Sequence, residues 1–351
     1  MKKKLVAVLL IVSLAALTFA GCGGSSEQNG EADGTAKPIT LRLASDAPPE
    51  HIATELNNWL SEEVAARTDG RINIQYFPSS QLGGYDTVFT EVMMGTIDMA
   101  QISWNAAVDE RLAAFNVPVA TTGWESAAWM LRPDSYLSNF YREVAGEFGV
   151  DFLGWVLEGY MGLGMVKDVT NPKEPGAAKN VQIRVWGADV CIETMKDLGF
   201  NTVTVPYAEV PTAIQTGVVD GWIGGTPNMN YAWVGDFITK FYVNYIYSEN
   251  TAYMISQKTA AKLDPADYEI LKEVVAEASA MSIEKAQENE EKYLKMLTDD
   301  YGVEIVRFTE EEIQAQAEFI KEKTWPKLEA SVSKEVLDGI AADYEEWLES
   351  K

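Results

Sequence analysis

A chain of 351 residues that is 47% hydrophobic and 23% charged has apolar side chain enough for two folded domains and is not a disordered sequence. Its formal charge of −25, with no basic cluster beyond the leader lysines, argues against nucleic acid and anionic lipid as partners of the body. One histidine (His51) and two cysteines leave no histidine triad and no cysteine-rich zinc site, and once Cys22 is set aside no intrachain disulfide.

The chain opens with Lys2, Lys3 and Lys4, an apolar run from Leu5 to Phe19, and small residues before Cys22. That is an export signal over residues 1–21, too short to span a bilayer. Phe19, Ala20, Gly21 and Cys22 resemble a bacterial lipobox, which predicts a lipid on Cys22; cleavage that leaves Cys22 unmodified is the other reading. Residues 22–38 carry no aromatic side chain and read as a flexible tether reaching about 20 Å.

From Ile39 the pattern alternates. ITLRLAS is a strand, Pro48 and Pro49 open a helix with Ile52, Leu56, Leu60 and Val64 on one face, and RINIQYF is the next strand. A second helix around Thr87–Met94 and the strand MAQIS repeat the unit, which predicts a doubly wound α/β domain over residues 39–163. DFLGWV is a strand, and the glycine-rich GYMGLGMV carries the chain into a second α/β lobe over residues 164–250. There VQIRVW places Arg184 and Trp186 on the strand face opposite Val181, Ile183 and Val185. A planar fork beside an indole suits an anion, although a strand arginine in a surface ion pair is the commoner arrangement. Asp220, before Gly221, is expected to bond its own turn.

Residues 251–351 form the remainder. FYVNYIYSENTAYMIS reads as the crossing back to the first lobe. Asp264 and Pro265 then start a helix of about 36 residues at 1.5 Å each, ended by Gly302 and striped with Leu271, Val274, Val275 and Ala278, so it packs along both lobes. A short strand, VEIVRF, and two helical segments around Ile313–Lys321 and Val336–Trp347, with solvated charged faces, close the chain.

Four stretches in order, TDGRINIQYFPSSQLGG, GTIDMAQIS, AAKNVQIRVW and YAEVPTAIQTGVVDG, resemble the DctP-like substrate-binding proteins of tripartite ATP-independent periplasmic (TRAP) transporters. The resemblance covers the body from Ile39 onward. It implies an α/β fold of two lobes, periplasmic-binding-protein-like of type II, with a long lobe-spanning helix. It further implies a monomeric, non-catalytic receptor without metal or cofactor, which closes on a small organic acid and delivers it to the membrane subunits of an ion-gradient-driven permease. The lipid form would stand on the outer side of the cytoplasmic membrane.

The family's carboxylate-binding arginine falls on Arg184, the aromatic before its E-V segment on Tyr207, and its contacts from the first lobe on Asp46, Ser103 and Trp104. Two departures concern the ligand. Where sialic-acid binders have a second arginine this chain has Tyr160 among glycines and apolar residues, and where Q-E-N-P is common it has Trp222, Ile223, Gly224 and Gly225. A monoanion with an apolar or aromatic body suits Trp104, Trp186, Tyr207 and Trp222. Two other readings stay open: a receptor of the same fold that signals to a membrane sensor, and a lipid-anchored hydrolase, against which the absence of G-x-S-x-G and of an isolated carboxylate pair speaks.

Overall fold

The computed structural model describes residues 38–351, so the export signal, Cys22 and all but the last residue of the tether lie outside the described residues. Strand β1 (Ile39–Ser45) runs into α1 (Ile52–Arg67), whose N-cap is His51: its Nδ1 accepts the Ala53 amide at 3.2 Å. Leu56, Leu60 and Val64 bury completely against the sheet. Then follow β2 (Ile72–Phe77), α2 (Tyr85–Met94), β3 (Met99–Ile102), a 3-10 turn at Glu110–Asn116, α3 (Trp124–Met130), α4 (Tyr136–Glu147) and β4 (Val150–Tyr160).

After β4 the chain enters a second sheet. It contains β5 (Leu163–Met165), β6 (Gln182–Val185), α5 (Asp189–Asp197), β7 (Asn201–Thr204), α6 (Val210–Gln215), β8 (Gly221–Ile223), α7 (Pro227–Val234) and β9 (Lys240–Val243). The chain returns with β10 (Ser248–Ser256) and α8 (Gln257–Ala260), continues through α9 (Pro265–Tyr301), and adds β11 (Glu304–Arg307), α10 (Glu310–Lys323), α11 (Trp325–Val332) and α12 (Lys334–Glu349).

The first sheet has the order β2-β1-β3-β10-β4, the second β11-β9-β5-β8-β6-β7. In the first, β1 pairs in parallel with β2 and β3, whereas β10 is antiparallel to both β3 and β4. In the second, the short β5 is antiparallel to β8 and β9 while β6 runs parallel to β7 and β8. The architecture is therefore α/β with two lobes, as the sequence predicts. Crossings between the sheets fall at residues 161–162 and 244–247.

FYVNYIYSENTAYMIS carries the crossing back to the first lobe as expected, between two strands of different sheets and with Tyr245 at φ 49°, a left-handed conformation that ends a ladder. Two local expectations are corrected. Asp220 does not bond its own turn; Oδ2 accepts the Gln182 amide at 2.9 Å and Oδ1 pairs with Lys167, pinning the edge of β6. The chain ends in three helices rather than two, because Pro326 starts a new helix after Thr324 and Ser333 turns with φ 71°. They are solvated on one face only. Asp343 of α12 takes Trp129, Arg132 and the Tyr136 amide of the first lobe, and Lys327 of α11 pairs with Asp197 of α5.

Helix α9 has 37 residues and spans about 55 Å. Asp264 caps it by accepting the Ala266 amide at 2.9 Å. Its first half lies on β4 and α1. At Gly154 a Cβ would stand 2.5 Å from Ser279 Oγ, so only a glycine admits the helix this close, and Ser282 Oγ accepts the Leu157 amide at 3.0 Å. The second half reaches the other lobe, where Asp300 accepts Tyr231 Oη at 2.8 Å and Glu291 meets Arg307 at 2.8 Å.

Candidate functional site

Arg184 sits on β6 between two β-formers in a sheet interior, and the residue is 3% exposed. It is not the surface arginine its residue type would suggest. Nε donates to the Val205 carbonyl at 2.9 Å and Nη1 reaches the Ile223 carbonyl at 3.4 Å. Among the described residues no carboxylate pairs with it; the titratable groups acting on it are Cys191 and Tyr207, and burial draws its pKa down. A guanidinium withdrawn from water without a counter-charge is costly, and an anion entering beside it removes that cost.

It opens onto a cleft of about 450 Å³ bounded by both lobes. Arg184, Trp186, Tyr207 and Gly224 come from the second lobe, Ser103 and Trp104 from the first, so six of the nine residues expected from sequence line one cavity. Gly224 has φ 136°, and a Cβ there would stand 3.3 Å from Arg184 Nη1; bare backbone leaves the guanidinium its place. The Tyr207 ring lies 5.9 Å from the guanidinium carbon and stays 44% exposed at the mouth. Trp186 packs edge-on against Tyr247. Trp104 is buried, stacked on Tyr141 at 4.6 Å, and its Nε1 has no acceptor.

Three expected residues stand elsewhere. Trp222 is fully buried under Gly224 and Gly225, and its Nε1 donates to Asn230 Oδ1 at 2.8 Å, so it backs the wall without facing the cavity. Tyr160 is buried at the crossing, where its hydroxyl donates to Thr121 Oγ1 at 2.8 Å and takes the Gly123 amide at 3.2 Å. Asp46 is exposed and accepts Ser80 Oγ at 2.8 Å and the Tyr85 amide at 3.2 Å; it holds the start of α2, and Tyr85 is what reaches the cleft.

Sequence reasoning missed Tyr85, Asn105, Met161, Glu249 and Asn250 on the lining. The last two are the informative ones. Successive strand residues ordinarily face opposite ways, but the register of β10 shifts between Glu249 and Asn250, and such a bulge lets both line the same space. The signal in the sequence was a Glu-Asn pair inside an otherwise β-forming run. Glu249 Oε2 has no donor, and burial, then the neighbouring Glu158, push its carboxyl pKa up, with the Thr226 amide pulling the other way. Glu158 accepts Gln101 Nε2 at 3.1 Å and Thr251 Oγ1 at 2.8 Å, and lies 3.6 Å from His51 Nε2.

A second, smaller cavity of about 280 Å³ lies among β4, α4 and α9, lined mainly by apolar side chains. Its one arginine, Arg132, is already paired with Asp343. Among the described residues no group of three or more His, Cys, Asp or Glu could hold a metal ion, and no helix is long and apolar enough to cross a membrane.

A cleft between two α/β lobes with a buried, unpaired arginine is the geometry of a solute receptor. The family of bacterial extracellular solute-binding proteins, family 7 (DctP), matches residues 43–331. The chain belongs to that family. Within DctP, the 2,3-diketo-L-gulonate-binding periplasmic protein YiaO of Escherichia coli is 28% identical over 182 residues, which are 50% of this chain and 52% of that protein. A TRAP periplasmic solute-binding protein of Ochrobactrum anthropi, crystallised with its C-terminus in the ligand-binding pocket, superposes with TM-score 0.81 at 20% identity, covering 90% of this chain and 97% of the other. The sugar acid binding protein DctPAm of Advenella mimigardefordensis, in complex with galactonate, gives TM-score 0.73 at 16% identity over 89% and 99%. This DctP chain thus shares the fold of TRAP receptors, in a family of solute-binding proteins rather than of enzymes.

Proposed function

We propose that the chain is the solute receptor of a TRAP-type, ion-gradient-driven permease, and that it captures an organic acid between its closing lobes with the carboxylate on Arg184. The observation that carries this reading is a buried arginine, without a carboxylate partner among the described residues, lining the interlobe cleft. The gulonate and galactonate of the two relatives named above are carboxylates, which supports the same chemistry. Trp186 and Tyr207 would pack on the body of the solute, Ser103 and Trp104 would meet it from the first lobe, and Gly224 would keep the guanidinium accessible. Trp222, Tyr160 and Asp46 act at one remove, through the wall, the crossing and Tyr85.

A thermal-shift screen of organic acids followed by calorimetry tests this. Each charge-assisted bond contributes about 1.5–3 kcal/mol, so Arg184→Ala is expected to weaken a hit at least about 100-fold. The variant should fold, because it removes a buried charge that the empty protein leaves uncompensated. Undiminished affinity in a folded Arg184→Ala would sink the assignment. The lipobox-like Phe19–Cys22 supports a lipid anchor for the receptor. Cys22→Ser is expected to move the protein from the detergent phase to the aqueous phase on Triton X-114 partitioning; an unchanged distribution speaks for simple cleavage.

A further inference from the structure

Two buried acceptors and a buried cation share the cleft without serving one another. On the β10 wall Glu249 Oε2 and Asn250 Oδ1 are both out of water, and neither has a hydrogen-bond donor. The Asn250 amide nitrogen is already engaged with Ser248 Oγ at 2.7 Å, which leaves the oxygen as its free end. Arg184 does not fill the gap. Tyr207 feels the charge of both Arg184 and Glu249, and all three line the one cavity.

The acceptor-rich end also holds two carboxyl groups. Glu158 of β4 adds its charge behind Glu249, and Glu158 itself has His51 Nε2 at 3.6 Å. A simple organic acid seated on Arg184 brings nothing to this corner. It would leave both acceptors as unpaired as they are in the empty protein, whereas a solute that supplies a donor gains roughly ten- to a hundredfold in affinity for each. A nitrogen carrying protons supplies donors to both oxygens and a positive charge that relieves the two carboxyls together.

We propose that the solute is a zwitterion, an amino or imino acid whose carboxylate seats on Arg184 and whose protonated nitrogen donates to Glu249 Oε2 and Asn250 Oδ1. This rests on the carboxylate reading above and names the second charge of the same solute. The body of the solute then passes the face of Tyr207 and the indole of Trp186, which accept an apolar chain and favour a nearby cation.

Calorimetry with the wild-type protein compares α-, β- and γ-amino acids and cyclic imino acids with their hydroxy and des-amino counterparts. At least one amino or imino acid is expected to bind about 100-fold or more tighter than its counterparts. Its N-trimethyl form, which has the charge but no N–H, is expected to bind more weakly than the parent. Glu249→Gln should remove most of the preference while changing the des-amino acid only a few-fold. That variant should unfold no more easily than wild type, since a buried carboxyl with no cationic partner becomes a neutral isostere that still accepts the Thr226 amide.

Hydroxy or des-amino acids binding as tightly as their amino partners overturn the proposal, as do a preference that survives in Glu249→Gln and a series in which no amino or imino acid binds. The ligand series on wild type decides the matter even if a variant fails to fold. The two readings fail separately: des-amino acids that bind through Arg184 with no benefit from nitrogen refute only the zwitterion, whereas carboxylates indifferent to Arg184→Ala refute the carboxylate grip itself.

Discussion

Glu290 shows how one residue can tax the fold it belongs to. It is buried on α9, its Oε1 accepts Tyr245 Oη at 2.8 Å, and burial raises its pKa to about 7. The folded chain therefore holds this proton more tightly than the unfolded chain, whose value is about 4.3. Wild-type stability must fall as pH rises through the window between those values, since ionisation is then opposed only in the fold. Glu290→Gln keeps an acceptor for Tyr245 and cannot ionise. It is expected to be more stable than wild type by about 3 kcal/mol at pH 8, with the difference vanishing below pH 4. Urea unfolding at the two pH values measures this, and an equal gain at both would point to packing instead. The site's legibility divides at this same scale. Arg184 was legible because its neighbours carry a motif, whereas Glu249 and Asn250 became cavity residues through a register shift that no period-2 reading of a strand contains.

At the scale of elements, what the sequence announces is what local chemistry decides. The long helix was visible from Asp264, Pro265 and the absence of a breaker before Gly302, and it came out at 37 residues. The strand-helix-strand units were visible in the same way. Pairing was not. Nothing local to Ser248–Ser256 says that it enters the first sheet antiparallel between β3 and β4, because that choice depends on strands far away in sequence. Local signals also misplaced the ends of elements. The β-forming run from Phe241, read as the crossing, does not show where its strands stop; it is cut at Tyr245, whose hydroxyl is drawn to Glu290 and whose ring meets Tyr160 edge-on at 4.6 Å. Tertiary contacts at the crossing, rather than propensity, set that break.

At the scale of the molecule, the proposed closing of the lobes is constrained by several ties. Two are the crossings at 161–162 and 244–247, another is α9, bonded to the first lobe through Ser282 and to the second through Asp300 and Glu291, and the last is the C-terminal helices, bonded to the first through Asp343 and to the second through Lys327. Closure then takes place by small adjustments at the short crossings and along the helix, as in hinge and shear motions. Small-angle scattering is expected to give a smaller radius of gyration with a saturating ligand than without, and no such change for Arg184→Ala. An identical radius in the two wild-type states would show that binding does not close the cleft.

The place of β10 also fixes an order of manufacture. Because it fills the gap between β3 and β4, the first sheet is incomplete until the chain has been made as far as Ser256, and the edge of the second waits for β11. Arg184 precedes Glu249 and Asn250 in the chain, so a fragment that ends before Ser248 lacks the β10 wall of the cleft. Long-range pairing of this kind slows folding, and here it makes that wall wait for a segment far along the chain.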